Sequence, residues 1–281
     1  MKNQTANRPV VNSWDEGRLL INADYAPLLR QLGLTNYEAV QQLRPAGVAK
    51  DFLPERVTIR VELGEGTNRH AFYLKRHAPP PLKEYLKPLI RLRWPIIGAR
   101  NEWNALLAFH EVHLPTMIPV AYGRQGRHSF LFTASLENCT RLSEMFQHLA
   151  EKPTAKHTHL KQTLTKSVAQ LARRMHDLGW HHQDFYAGHI LVRSPDHQLF
   201  IIDLGRVRPL RWFRKMFIFK DLAQLAYSLR QATLSDRIRF LRAYWGKPFR
   251  KKERHWLRRI DRKVNSIARH DRKSRASREP A

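Results

Sequence analysis

The chain carries one cysteine, Cys139. A lone thiol closes no disulfide within the chain and builds no cysteine-rich zinc site, and this usage suits a reducing compartment. Long apolar runs are missing as well. The best stretch, Pro88 to Gly98, is broken by Arg91 and Arg93 and falls short of the ~18 apolar residues a spanning helix requires. Met1 to Val10 is polar and lacks the apolar centre of a secretory leader, so the expectation is a cytoplasmic protein, peripheral on a membrane at most. Acidic residues are scarce. There are 24 Asp and Glu against 50 Lys and Arg in 281 residues, a net charge of +26. The excess is uneven: Arg206 to Ala281 holds 24 Lys and Arg against 6 Asp and Glu, so +18 sits in the last 76 residues. Such a field predicts a polyanionic partner: nucleic acid, an anionic membrane surface or a phosphorylated substrate. No zinc spacing, helix-turn-helix signature or stacking-aromatic motif accompanies the charge, so nothing points to a specific nucleic-acid reader.

The length allows one large domain or two modest lobes. With 42% hydrophobic and 26% charged residues, the balance is that of an ordinary globular chain. Leu28 and Leu32 before Gly33 suggest a short helix near the N-terminus. Val57 to Val61 and Ala71 to Lys75 are β-rich and flank a glycine-containing turn, which predicts a hairpin. A helix is expected over Arg100 to Val112, and another strand pair near Pro119–Tyr122 and Ser129–Thr133. The second half reads as mainly helical. Leu160, Leu164, Val168, Leu171, Met175 and Leu178 keep helical spacing up to a stop at Gly179. Short β runs follow at Ile190–Val192 and Leu199–Ile202, then helices near Asp221–Gln231, Ser235–Trp245 and Lys252–Arg269. No internal repeat is present. The outline is α+β, a small β-rich region followed by a larger helical one.

The most informative segment is His181-His182-Gln183-Asp184-Phe185-Tyr186-Ala187-Gly188-His189, between the long amphipathic helix and a short strand. Nineteen residues after Asp184, the β-rich run Ile201-Ile202 ends in Asp203-Leu204-Gly205. This is the layout of a phosphoryl-transfer site, in which a loop aspartate orients the acceptor hydroxyl and takes its proton, while a second aspartate binds the magnesium that bridges the phosphates. Magnesium prefers hard oxygen ligands, so a carboxylate at Asp203 is the expected residue type. Alone, a loop aspartate beside histidines is more often a turn or cap residue, and Asp-Leu-Gly is common at strand ends.

From Phe52 to Ser228 the chain resembles the lipopolysaccharide core kinases, the Kdo/heptose kinase family, a branch of the protein-kinase fold. The resemblance rests on Tyr73-Leu74-Lys75-Arg76, Asn101-Glu102-Trp103, Leu114-Pro115-Thr116, His182-Gln183-Asp184-Phe185-Tyr186 with His189, Ile202-Asp203-Leu204 and Lys220-Asp221-Leu222-Ala223. The kinase catalytic loop H-R-D-x-x-x-x-N is met at His182 and Asp184. Gln183 replaces the arginine, and His189 stands where asparagine is usual, a histidine this family is similar in having. The resemblance implies a bilobal kinase fold that uses ATP and Mg²⁺. In it Lys75 would hold the α/β-phosphates, Glu102 would pair with Lys75, and Asp184 would be the catalytic carboxylate. Asp203 would bind metal, and His189 would bind metal or instead bond to Asp184 or substrate. Asp221 would steady the catalytic loop, or serve as a first-turn helix charge. The glycine loop is not evident: Pro45 to Asp51 has one glycine, and Leu63-Gly64-Glu65-Gly66 lies where a plain hairpin turn is expected.

The corresponding division is an N-terminal extension at 1–47, an N-lobe at 48–137, a C-lobe at 138–269 and a disordered basic tail at 270–281. Pro88 to Trp94 and Arg211 to Lys220 interleave cations with large apolar groups. The second occupies the position of an activation segment. Both suit an anionic membrane interface or a phosphate-bearing glycolipid held by arginines, or else aromatics packed inward with cations facing water. The expected activity is phosphorylation of a heptose or Kdo hydroxyl of the lipopolysaccharide inner core at the cytoplasmic face of the inner membrane. Its rivals are another small-molecule or protein kinase of this fold, a basic nucleic-acid-binding protein, and a pseudokinase scaffold.

Overall fold

A computed structural model describes residues 8–45, 50–53, 56–64, 66, 69–79, 98–210, 212–248 and 254–276, the side chains of 50–53 and 273–276 excepted. The chain divides into two units. The first comprises Met1–Glu137 with Asp203–Arg206, the second Asn138–Ile202 with Val207–Ala281.

The first unit is built on an antiparallel seven-stranded sheet. Its strands are β1 (Val11–Trp14), β2 (Leu19–Asn22), β3 (Lys50–Leu53), β4 (Arg56–Leu63), β5 (His70–His77), β6 (Pro119–Gln125) and β7 (His128–Ala134). They lie in the order β1-β2-β6-β7-β5-β4-β3. Alternation decides the two faces. Ile59, Val61, Phe72, Leu74, Phe130 and Phe132 join one core with Leu29, Tyr37 and Val40 of helices α1 (Ala26–Gln31) and α2 (Tyr37–Gln41). Phe72 stacks on Phe132 at 4.9 Å between centroids, and Tyr37 lies 5.3 Å from Phe130. Side chains of this size each contribute about 1.5–3 kcal/mol on burial. Gly123 makes the packing possible, because a Cβ there would lie 2.3 Å from Phe130 Cε1. By the same alternation, Lys75 emerges on the face opposite Phe72 and Leu74. On that side α3 (Arg100–Glu111) meets β6 through Trp103, whose ring lies 6.2 Å from Tyr122.

Residues 11–41 are therefore part of the sheet and its core rather than an appendage, because β2 pairs with β6 from Leu19↔Gly123 to Ile21↔Ala121. The expected hairpin is also larger: β3 adds a strand before it, with Asp51 opposite Val57. The sparse-glycine segment falls partly at 46–49 and the basic stretch Pro88–Trp94 entirely at 80–97, outside the described residues.

The second unit is mainly helical. It contains β8 (Cys139–Arg141), α4 (Leu142–Glu151), α5 (Ala155–Asp177), β9 (Trp180–His181), β10 (Ile190–Arg193), β11 (Leu199–Ile201), β12 (Arg208–Pro209), α6 (Arg214–Ser228), α7 (Leu234–Trp245) and α8 (Arg254–Ala276). Thr154 caps α5 by accepting from the His157 N–H. Leu164, Val168, Leu171 and Met175 are buried along its inner face. Leu178, the last member of that pattern, lies beyond the helix and is exposed, and Gly179 turns the chain at φ +84°. Thr233 and Asp236 form a reciprocal capping box at the start of α7.

Two expectations change here. The helix expected from Asp221 begins at Arg214, so 214–220, in the position of an activation segment, is two helical turns. Helical spacing gives Phe217 and Phe219 partners: Phe217 meets His181 at 5.9 Å, and Phe219 stacks on Trp256 at 4.3 Å under Arg259. Trp212, Phe213 and Met216 stay outside at 81%, 78% and 55% exposure. The basic tail also differs, since α8 continues to Ala276 with Asp271 accepting from the Tyr227 hydroxyl at 2.8 Å.

Candidate active site

In the first unit Lys75 is the centre of a charged cluster. Its Nζ lies 3.0 and 2.9 Å from the two Glu102 carboxylate oxygens and 2.7 Å from Asp203 Oδ1. Glu102 is 2% exposed and sits in the first turn of α3, where the helix N-terminus favours an anion. Burial by itself would push the Lys75 ammonium down, and Arg56 pushes the same way. The two carboxylates outweigh both and hold it above its ordinary value. His77, two residues on, is 4% exposed, and its Nε2 has no hydrogen-bond partner among the described residues. Burial first, then Arg56 and Lys75, push it down to about 3, against a weaker pull from Asp203. Asp203 adopts a left-handed φ of +58°, and strain of about 1–3 kcal/mol in such a residue persists only where neighbours impose it. The neighbours are visible: Asn101 Nδ2 donates to the Gly205 carbonyl at 2.7 Å, anchoring the short 3₁₀ turn Leu204–Arg206 to α3.

The second unit carries Asp184 on a loop held from beneath by one face of α6. Asp221, Gln224 and Ser228 are spaced three and four apart, hence aligned. Asp221 Oδ2 accepts from the His182 N–H at 2.9 Å and Oδ1 from the Gln183 N–H at 2.8 Å. Gln224 accepts from the Phe185 N–H at 3.0 Å and donates to the Gln183 carbonyl at 2.8 Å. Ser228 Oγ accepts from the Ala187 N–H at 2.7 Å. These bonds hold Gln183 at φ +67°. Asp221 is fully buried. Burial alone would raise its carboxyl, but the His176 bond and charge, with contributions from His182, hold it below its ordinary value.

His176 Nε2 donates to Asp221 Oδ2 at 3.2 Å, and its Nδ1 shares a hydrogen bond with the Tyr244 hydroxyl at 2.8 Å. His181, fully buried beside it, has neither ring nitrogen hydrogen-bonded among the described residues. Burial, followed by His176, pushes His181 down to about 4. His176, His181 and Asp221 place one ligand atom each within 4.8 Å of one another. The two rings stack at 25°, however, so their in-plane lone pairs do not converge on a cation. Within the loop, His189 Nδ1 donates to the Asp184 carbonyl at 2.8 Å, and His182 Nε2 donates to the Ile202 carbonyl at 3.0 Å.

A sequence model of the lipopolysaccharide kinase (Kdo/WaaP) family matches residues 54–244. This chain belongs to that family. It is 34% identical over 232 residues to the lipopolysaccharide core heptose(I) kinase WaaP of Pseudomonas aeruginosa, covering 78% of this chain and 83% of the relative. It is 32% identical over 236 residues to the enzyme of that name from Escherichia coli, covering 76% and 85%. Among solved structures, WaaP in complex with acyl carrier protein superposes with a TM-score of 0.69 at 30% identity, covering 89% of this chain and 99% of that one. The two-part α+β architecture is thus the kinase-like fold of this family.

Of the residues singled out beforehand, Lys75, Glu102 and Asp203 meet in one cluster, while Asp184 and His189 share one loop. Sequence reading passed over Gln224, Ser228, His176 and Tyr244. The first two had a signal, since an Asp-x-x-Gln-x-x-x-Ser stripe is conspicuous in a helix whose other inward residues, Leu222, Ala223 and Leu225, are apolar. His176 and Tyr244 had none, being separated by 68 residues.

Proposed function

We propose that this protein transfers the γ-phosphate of ATP to a hydroxyl of a heptose in the inner core of lipopolysaccharide. The observation that carries the reading is Lys75 held simultaneously by Glu102 and Asp203, in a chain about one-third identical to enzymes named as heptose(I) kinases. In this reading Lys75 holds the α/β-phosphates and Glu102 keeps it oriented. Asp184 orients the acceptor hydroxyl and takes its proton. Asp203 fits magnesium by donor chemistry, offering hard carboxylate oxygens on a side chain 40% exposed. Bound magnesium would neutralise charge on the phosphates. His189 suits magnesium less well, because imidazole is a softer ligand. Its Nδ1 bond to the Asp184 carbonyl supports a bracing role for the loop instead.

The acceptor is a glycolipid, and the same reading places the enzyme peripherally on the cytoplasmic face of the inner membrane. No helix among the described residues is long and apolar enough to cross a membrane. The exposed Trp212, Phe213 and Met216 flank Arg214 and Lys215. That mixture supports docking on an anionic interface, where each basic residue contributes about 1 kcal/mol.

The test is incubation of the purified chain with γ-labelled ATP, Mg²⁺ and intact or dephosphorylated core lipopolysaccharide, followed by mapping of the label. Label on a heptose of the dephosphorylated core, lost in Asp184→Asn, is the expected result. Label confined to protein or to free sugars would overturn the acceptor assignment.

A further inference from the structure

Arg56 is the first residue of β4, and only Pro54 and Glu55 separate it in sequence from β3. In the β4–β5 register Arg56 faces His77 and Thr58 faces Lys75. The period of two puts Arg56, Thr58, Lys75 and His77 on one face of the sheet. The guanidinium reaches the charged cluster: Arg56 Nη2, Glu102 Oε2 and Asp203 Oδ1 lie 3.7, 3.6 and 3.9 Å from the Cβ position of Gly205. Yet Glu102 and Asp203 are both bonded to Lys75. Among the described residues half-buried Arg56 makes no hydrogen bond or ion pair of its own. With both carboxylates of the cluster bonded to Lys75, a partly desolvated guanidinium that has no acceptor of its own favours a further anionic oxygen.

The place of that anion follows from strand order. In protein kinases a glycine-rich loop covers the ATP phosphates, and the phosphate-binding lysine lies on the third strand. Here Lys75 is on β5, the third of the consecutive strands β3, β4 and β5, so the link between β3 and β4 corresponds in sequence order to that loop. Its sequence is Pro54-Glu55. It contains no glycine, and proline has no N–H to offer. We propose that Arg56 is a nucleotide-phosphate ligand, its guanidinium supplying the donors that backbone N–H groups of a glycine loop supply elsewhere. The planar fork suits phosphate oxygens bidentately, which a lysine does not reproduce. This proposal rests on the kinase reading above.

The experiment measures Kd for ATP, ADP and adenosine by calorimetry, with Mg²⁺, on the full chain and on Arg56→Ala, Arg56→Gln and Arg56→Lys. Arg56→Ala and Arg56→Gln should weaken ATP and ADP about 10- to 100-fold and leave adenosine within twofold, with Arg56→Lys between them and wild type. Unchanged adenosine binding also reports an intact fold. ATP affinity within twofold of wild type in both variants would overturn the proposal and leave the kinase reading standing, as would an equal loss for adenosine and ATP. A wild-type chain that binds adenosine and ATP equally would overturn both.

Discussion

Asp203 in the first unit is itself in left-handed backbone and Asp184 in the second follows Gln183, which is, but the two regions fix their turns differently. The Asp203 turn is organised by charge: a lysine shared between two carboxylates, and an asparagine clasping the Gly205 carbonyl. The Asp184 loop is organised by backbone. Three polar side chains on one helix face take up four of its N–H groups, and none of those bonds involves Asp184's own carboxylate. Ion pairs to a flexible lysine rearrange when a polyphosphate competes for it. Buried bonds to main-chain groups do not, because breaking them orphans donors in a dry interior. The first arrangement suits a site that must admit a charged ligand, the second a loop that must hold one geometry through the reaction.

The contrast is broken most severely at Asp203. Asp203→Ala should abolish phosphoryl transfer while the chain stays folded, as circular dichroism and thermal unfolding would confirm; a folded variant with near-normal turnover would remove the assignment. Asp221→Ala should instead act on stability. Removing a fully buried carboxylate strips the His182 and Gln183 N–H groups and His176 of their acceptor at once, costing about 3–5 kcal/mol by urea unfolding. A loss below about 1 kcal/mol would mean that the loop does not depend on it.

Lys75→Ala should lower the rate at least about 10²-fold, since positioning and electrostatics supply most of this chemistry. Glu102→Gln should cost less, because Lys75 keeps its charge and its Asp203 contact. The reverse order in kcat/KM would sink the idea that Glu102 acts through Lys75.

Proton linkage gives a smaller effect. His77 and His181 hold folded values of about 3 and about 4 against an ordinary 6.5. Between pH 6.5 and about 4 the unfolded chain therefore binds more protons, and stability falls as pH falls. Each residue contributes a slope of at most about 1.4 kcal/mol per pH unit. Asp221, lowered from 3.8, adds its own loss only below that range. Urea midpoints at pH 7 and pH 5 should separate clearly for wild type and less for His181→Asn; an equal separation would show that His181 is not held neutral. Smallest is Ser228→Ala, which orphans only the Ala187 N–H and should cost about 1 kcal/mol, read by the same unfolding curve.

The fold was legible where pattern and punctuation agree. The α5 stripe ended at a glycine, the β4–β5 hairpin alternated, and β6 and β7 showed as short β runs. The family resemblance also implied that Glu102 pairs with Lys75, and the two meet at 2.9 Å. The start of α6 was missed because Arg211 to Lys220 is dense in aromatics and cations, and composition does not say which ring finds a partner. Phe219 turns inward because Trp256 and Arg259 of α8 meet it, whereas Trp212 and Phe213 have no comparable partner among the described residues. Residues 11–22 offered no chemistry to read, and their role in the sheet depends on β6, a hundred residues away.

What the sequence by itself determined is chemical identity in order: a lysine late in a strand, a glutamate opening a helix, two aspartates nineteen residues apart, and a histidine in place of asparagine. Those are local facts, set by residue type and spacing. Only the tertiary structure decided that Lys75 bonds Asp203 across 128 residues, that one face of α6 holds the Asp184 loop, and that Tyr244, His176 and Asp221 form a buried chain. Each of these joins polar groups far apart in sequence. Their value comes from exclusion of water, which raises the cost of leaving any one group unpaired, and water is excluded only once the surrounding core has formed.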